Sequence, residues 1–230
     1  MRTMVQPDST CWTTIEGAAA GSVGDRDEFA RRYAPSIRAY LAARWQASFF
    51  AQEIDDATQE VFLECFRQGG ALECADRSRP GGFRAFLYGI VRNVALRIET
   101  RKARGRERHL ESVLQPEGVE GSEASLSRVF DRAWVESLLR EVAQRQADRA
   151  RQAGEAALKR VELLRLRFHE GLPIREIASL WETDPAALHR EYARARVEFK
   201  EALLEVVAFH HPDSRAEVER ECAELLGLLR

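Results

Sequence analysis

Residues Ile174–Phe199 read IREIASLWETDPAALHREYARARVEF, and this stretch has the pattern of a helix-turn-helix. A short first helix carries the small residue Ala178 at the position where a second helix must pass closely. A three-residue turn, Glu182–Asp184, follows. Asp184 is a favourable N-cap and Pro185 a favourable first helical residue, so the second helix is predicted to begin there.

The second helix has one apolar stripe and one face suited to a DNA groove. At 100° per residue, the stripe contains Leu188, Tyr192, Ala195, Phe199 and Leu203. The opposite face contains Ala186, Arg190, Ala193, Arg194 and Val197, flanked by His189, Arg196 and Lys200. Alanines permit close approach, and arginines can reach guanine edges or phosphates. The alternative is that Arg190 and Arg194 only solvate an exposed face, with Glu191 and Glu198 as neutralising neighbours.

Helical periodicity runs through the rest of the chain, and strand signals are nearly absent, so the predicted fold class is all-α. An N-terminal helix has Phe29, Tyr33, Ile37, Leu41 and Trp45 at i, i+4 spacing. A later one has Phe83, Phe86, Leu87, Ile90, Val91, Val94 and Ile98 on one side. Capping boxes at 13–16 and 214–217 predict two further helix starts.

The sharpest change in charge predicts a boundary between two small helical domains. Residues 92–109 contain seven basic and two acidic residues, whereas residues 110–124 contain four glutamates and no basic residue. The second stretch also has proline and glycine and no apolar period, as a flexible linker has. The predicted segments are an N-terminal extension (1–24), a first domain (25–109), an acidic linker (110–124), a second domain (125–205) and a C-terminal helical extension (206–230).

A second candidate surface lies on the predicted helix that starts near Asp55. Asp56, Gln59, Glu60 and Leu63 face away from its apolar stripe. An acidic face with one exposed leucine suits a protein partner that offers arginines around a small apolar spot.

Two runs in the first domain and one in the second resemble the sigma-70 family of RNA polymerase sigma factors, specifically its extracytoplasmic-function branch. DDATQEVFLECF (55–66) and GGFRAFLYGIVRNVALRIETRKAR (81–104) resemble region two of that family, and LPIREIASLWETDPAALHREYARAR (172–196) resembles region four without a gap. The resemblance covers about residues 25–109 and 125–205. The chain departs from the family at Glu182 and Thr183, where glycine and an apolar residue are usual, and at His189–Glu191.

The resemblance implies a role in transcription initiation, with core RNA polymerase and promoter DNA as partners and an anti-sigma protein as a possible third. The polymerase-binding residues would be Asp55, Asp56, Gln59, Glu60 and Leu63. The loop 69–82 and the helix after it would hold the non-template strand of the minus-ten element, and the minus-ten residues would be Arg84, Tyr88, Arg92, Asn93, Arg97, Arg101, Lys102 and Arg104. The minus-thirty-five residues would be Ala186, His189, Arg190, Ala193, Arg194, Arg196 and Val197.

The residue chemistry of the first domain agrees with strand capture. Unstacked bases and their phosphates need an aromatic surface beside cations. Tyr88 and Arg92 project away from the apolar stripe and are the preferred contacts, with Arg84 near them. Phe83 is expected in the core.

Composition and motif content argue against several other classes of function. A net charge of −2 gives no basic surplus, so DNA binding is expected to depend on local patches or on a larger partner. No catalytic or phosphate-loop motif is present, the four cysteines lack metal-ligand spacing, and no cofactor or metal is predicted. No run is long and apolar enough for a membrane span, and a cytoplasmic location is expected. The competing hypotheses are a helix-turn-helix regulator that binds an operator alone as a dimer, and a protein-binding helical adaptor.

Overall fold

The computed structural model describes residues 11–46, 48–76, 81–107, 122–210, 218–219 and 222–223, and within these ranges the chain forms helices and no strands. The all-α prediction is therefore confirmed. The α-helices are α1 (Cys11–Ala19), α2 (Val23–Arg44), α3 (Ile54–Phe66), α4 (Gly82–Glu107), α5 (Glu123–Ala153), α6 (Glu155–Phe168), α7 (Ile174–Leu180) and α8 (Pro185–His210). Short 3-10 helices cover Phe49–Glu53 and Ala71–Cys74.

The first two helices differ in whether a side-chain cap marks their start. Ser22 precedes α2, and its hydroxyl accepts a hydrogen bond from the Asp25 amide at 3.4 Å. The predicted capping box at 13–16 is wrong, because Thr13 already lies inside α1 and the buried side chains of Cys11 and Trp12 belong to the same helix. The box at 214–217 lies outside the described residues.

The first compact unit has an aromatic core centred on Phe29. Its ring lies 4.6 Å from Tyr33, 5.3 Å from Phe66 and 5.8 Å from Phe83, measured between ring centroids. These residues come from α2, α3 and α4, so their edge contacts join the three helices. Phe83 is 5% exposed, which confirms its predicted place in the core.

The described residues divide into two compact units within α5, between Ser137 and Leu138. The first half of α5 contributes Leu126, Phe130 and Trp134 to the buried part of the first unit, and Trp134 stacks on Tyr33 at 5.1 Å. The sequence had placed residues 123–124 in the linker and 125–137 in the second domain. Apolar contacts instead group these residues with the first unit, and residues 108–121 lie outside the described part of the chain.

The second unit is organised around the helix-turn-helix. Its core cluster contains Leu163, Leu166, Ile174, Ile177, Ala178 and Leu188, with Leu172, Trp181 and Tyr192 packed against it. Gln146, on the second half of α5, donates through Nε2 to the carbonyl of Ala195 at 3.3 Å. Because Gln146 is only 5% exposed, this bond satisfies a buried amide and fixes α8 against α5.

Among the helices in the described ranges, none combines the length and apolar character of a transmembrane span.

Candidate functional site

The exposed face of α8 matches the pattern expected from the sequence. Leu188, Ala195 and Leu203 are buried, and Tyr192 and Phe199 are half-buried. The predicted minus-thirty-five residues are all exposed: Ala186, His189, Arg190, Ala193, Arg194, Arg196 and Val197. The geometry thus leaves this face available to a ligand, and contact with DNA stays a prediction.

The turn before α8 is closed by two capping arrangements. Asp184 accepts a hydrogen bond from the Ala187 amide at 2.9 Å, which confirms it as the N-cap of α8. Behind it, α7 ends with amide-to-carbonyl bonds from Thr183 to Ala178 (2.9 Å) and from Glu182 to Ser179 (3.2 Å). These two bonds form a Schellman motif. Glu182 has a φ of 49°, the left-handed conformation that glycine adopts without strain.

Glu191, on the edge of the α8 face, has cationic partners on both sides. Arg160 of α6 donates to it through Nη1 at 3.3 Å, and Arg194 donates through Nη1 at 2.8 Å. The carboxylate is therefore neutralised within the unit. Among the described residues, His189, Arg190 and Lys200 have no hydrogen-bond or ion-pair partner, so nothing within the unit restrains these polar groups of the face.

The predicted polymerase-binding face of α3 is exposed at its centre. Asp56 and Gln59 are exposed, and Leu63 is 69% exposed. Asp55 forms an ion pair with Arg38 of α2. Glu60 is only partly exposed, because it pairs with two arginines of α4.

The basic C-terminal half of α4 is held by acidic side chains of α3. Arg97 lies 3.3 Å from Glu60 and 3.1 Å from Glu64, and Arg101 lies 3.1 Å from Glu60. These arginines are nevertheless about half exposed, at 50% and 61%. Lys102 pairs with Glu53 at 2.6 Å. Asn93 and Arg104 are exposed and make no such pair with any described residue.

The other three predicted minus-ten residues are half-buried and contact α5. Arg84 lies 3.3 Å from Asp131, and Arg92 lies 3.0 Å from Glu123. The Tyr88 hydroxyl donates to the Glu123 carboxylate at 3.1 Å, and its ring lies 5.5 Å from that of Phe130. Tyr88 and Arg92 were predicted to project away from the α4 core stripe, and their contact with DNA stays a prediction. Both do leave the α4 core stripe, but the first half of α5 packs over them.

A buried polar network continues from these residues into the first unit. Arg44 of α2 is 5% exposed and pairs with Glu99 of α4 through two hydrogen bonds, Nε–Oε1 at 2.7 Å and Nη2–Oε2 at 3.0 Å. Its Nη1 donates to Glu123 at 2.9 Å. The sequence reasoning missed this network. The available signal was an arginine on the apolar side of α2, one turn after Tyr40 and beside Trp45.

Electrostatics follow this geometry. Burial raises the pKa of Tyr88 to about 12, and the hydrogen bond to Glu123 acts in the same direction. Burial alone would raise the pKa of Glu123, but the hydrogen bonds from Arg44, Arg92 and Tyr88 outweigh it and hold that pKa below its ordinary value. Glu123 is therefore an anion at neutral pH, hydrogen-bonded to two cations and a phenol.

The predicted strand-binding loop 69–82 is described only in part. It contains the 3-10 helix Ala71–Cys74, and residues 77–80 lie outside the described part of the chain. In α4, which follows the loop, Phe86 is half-buried. In the described ranges, no three His, Cys, Asp or Glu side chains come together as metal ligands.

Comparison of the chain with protein-family models and with curated proteins gave no match in either case.

Proposed function

We propose that the chain is a transcription initiation factor of the extracytoplasmic-function sigma type, which binds core RNA polymerase and directs promoter recognition and melting. The observation that carries the proposal is the α8 face, whose Arg190, Arg194 and flanking residues are exposed behind a well-capped turn. An exposed helix face of small and basic residues is what major-groove binding requires. The resemblance of the two domains to sigma regions two and four supports the roles in polymerase binding and promoter melting.

The α3 face supports a protein partner for the first unit. Leu63 is 69% exposed and lies on the same face as the exposed Asp56 and Gln59. One exposed leucine is ordinary on a protein surface, so the support comes from its combination with the acidic and amide groups. A basic helix of the polymerase with an apolar spot would satisfy both features.

The charge distribution supports action within a larger complex. The net charge is −2, and many arginines of the first unit are already paired with carboxylates. Since phosphate neutralisation supplies most non-specific DNA affinity, the isolated chain is expected to bind duplex DNA weakly. Bound to polymerase, its two DNA faces would be presented together, which raises their effective concentration.

Promoter duplexes are first identified by sequencing the DNA that binds to the reconstituted holoenzyme. Fluorescence anisotropy of these duplexes, carrying a label, then tests the proposal. The chain alone should bind weakly, and the chain with core polymerase should bind specifically. Arg190→Ala should weaken promoter binding, with a cost of about 1–3 kcal/mol per lost base contact, while leaving polymerase binding intact. Arg175→Ala, on the exposed side of α7, is a matched control.

Two outcomes would reject the proposal. Equal and specific duplex binding without polymerase would favour an independent helix-turn-helix regulator. Failure to bind either DNA or polymerase would favour a protein adaptor.

A further inference from the structure

The carboxylate of Glu123 occupies a cradle built from two other helices of the first unit. It accepts hydrogen bonds from Arg44 Nη1 at 2.9 Å, Arg92 Nε at 3.0 Å and the Tyr88 hydroxyl at 3.1 Å. Arg44 belongs to α2, whereas Tyr88 and Arg92 belong to α4. Three donors that converge on one carboxylate have the composition of an oxyanion-binding site.

Contacts other than Glu123 hold the Arg44 side of the cradle in place. Two hydrogen bonds to Glu99 fix the guanidinium plane of Arg44, and Trp45 Nε1 donates to the same carboxylate at 2.7 Å. This leaves Arg44 Nη1 directed at Glu123 and at the hydroxyl of Tyr40, 3.2 Å away. With Glu123 removed, Arg44 would keep Glu99 as its ion-pair partner and Arg92 would lose its carboxylate, so the site would carry an uncompensated positive charge.

Glu123 can leave the cradle while α5 stays in place. It lies in the first turn of α5, and its side chain is 45% exposed. The helix is anchored further along by the buried side chains of Leu126, Phe130 and Trp134. Rotation of one glutamate side chain, or fraying of one turn, is therefore sufficient to open the site.

We propose that the cradle of Arg44, Tyr88 and Arg92 binds a backbone phosphate of single-stranded nucleic acid, and that the Glu123 carboxylate is an internal anion that competes with it. The inference rests on the proposed function, to which it adds a way of keeping the strand-binding face occupied until a strand is presented. A phosphodiester group carries one negative charge and two acceptor oxygens, as a carboxylate does, so it can replace Glu123 on the same donors. The pairing of Tyr88 and Arg92 with Glu123 is then the resting state of this face.

Binding of a fluorescent 20-residue oligonucleotide of mixed sequence by the full chain tests the inference. Glu123→Ala should tighten binding roughly tenfold, the effect of one gained charged hydrogen bond. The matched control is Glu136→Ala, which removes the same charge from the same helix, where Glu136 pairs with Arg132 at 3.1 Å. No gain of Glu123→Ala over this control, with both proteins folded by circular dichroism, would overturn the inference.

A second pair of variants identifies the donors. Adding Arg92→Ala to Glu123→Ala should abolish the gain, and adding Tyr88→Phe should remove part of it. Retention of the full gain in the Arg92→Ala double variant would mean that the extra affinity arises elsewhere, and would also overturn the inference.

Two further experiments distinguish a nucleic-acid phosphate from a free anion, and the inference from the proposed function. Inorganic phosphate, at an ionic strength matched with chloride, should displace the oligonucleotide more readily from Glu123→Ala than from Glu136→Ala. If phosphate binds but the oligonucleotide shows no gain, the site takes free anions, and the nucleic-acid assignment is wrong. Transcription by the wild-type chain with core polymerase tests the proposed function separately. Its outcome does not depend on whether Glu123→Ala binds the oligonucleotide more tightly.

Discussion

Arg160 Nε lies 2.9 Å from Glu198 Oε1 and 3.1 Å from Glu198 Oε2, and this contact joins α6 to α8. The same guanidinium reaches Glu191 through Nη1 at 3.3 Å. One arginine of α6 therefore fixes α8 and neutralises a carboxylate at the edge of its exposed face. These hydrogen bonds, Glu198 first, raise the pKa of Arg160 against the opposing effect of its burial.

Arg160→Ala is expected to destabilise the second unit and to weaken promoter binding. The partly exposed carboxylates limit the loss of stability to about 1 kcal/mol, which thermal unfolding can measure. Promoter affinity should fall as well, because Glu191 would keep only Arg194 as a partner. Arg165→Ala is the control, since its partners Glu162 and Glu170 lie on or just beyond the same helix. An equal loss of promoter affinity in that control would contradict the assigned role of Arg160.

Glu182→Gly is expected to stabilise the turn of the helix-turn-helix. At a φ of 49° a residue with a Cβ is strained by about 1 kcal/mol, and glycine is not. Part of this gain is offset by the greater flexibility of glycine in the unfolded chain. The melting temperature should therefore rise by at most a few degrees. Glu182→Val should lower the melting temperature. The reverse order of these variants would show that the Glu182 side chain stabilises the turn.

Asp131→Asn is expected to stabilise the first unit at neutral pH. Burial raises the pKa of Asp131, and the nearby Arg84 only partly opposes this effect. A raised carboxyl pKa means that the folded state loses stability as the pH rises from the unfolded value of about 3.9 through the folded value. The asparagine variant should gain roughly 0.5 kcal/mol at pH 7, and the difference should disappear below about pH 4. A less stable variant at pH 7 would show that the ion pair with Arg84 outweighs the burial of the charge.

Glu123→Gln should show the opposite dependence on pH. The pKa of Glu123 is lowered, so its contribution to stability is present above the unfolded value of about 4.3 and is lost as the pH falls through the folded value. The glutamine variant should be less stable than the wild type at pH 7, by a few tenths of a kcal/mol because the side chain is half exposed. The two proteins should converge in acid, as urea unfolding at a series of pH values can establish. A difference in unfolding free energy that grows as the pH falls would contradict the lowered pKa of Glu123.

Leu63→Ser is expected to weaken polymerase binding without a loss of stability. The side chain is 69% exposed, so the free energy of unfolding should change by less than about 0.5 kcal/mol. Leu180→Ser is the matched control, because Leu180 is 64% exposed but lies on α7 of the other unit. Polymerase binding that is unchanged by Leu63→Ser, or equally reduced by Leu180→Ser, would exclude α3 as the docking face.

The sequence predicted the helices, their buried stripes and the capped start of α8, because these features depend on local periodicity and on residues a few positions apart. Asp184 and Pro185 are an example: the cap involves neighbours along the chain. The exposure of Leu63 could be predicted for the same reason. Each of these properties is fixed within a single helix.

The cover over Tyr88 and Arg92 could not be predicted in this way. Periodicity shows which side of α4 faces away from its own core, but not which distant helix packs there. The acidic composition before Glu123 favoured a linker boundary, although the i, i+4 series Leu126, Phe130 and Trp134 already indicated a buried face. The Arg44–Glu99 pair joins residues 55 positions apart and has no local signature.

Run-off transcription from linear genomic fragments with core RNA polymerase tests the central claim most directly. The account predicts discrete transcripts when the chain is added, fewer transcripts with Asp56→Arg, which reverses an exposed charge on α3, and none from core polymerase alone. Asp56 is preferable to Glu60 for this test, because Glu60 also pairs with Arg97 and Arg101. Absence of any transcript dependent on the chain, with polymerase that is active with another initiation factor, would contradict the account.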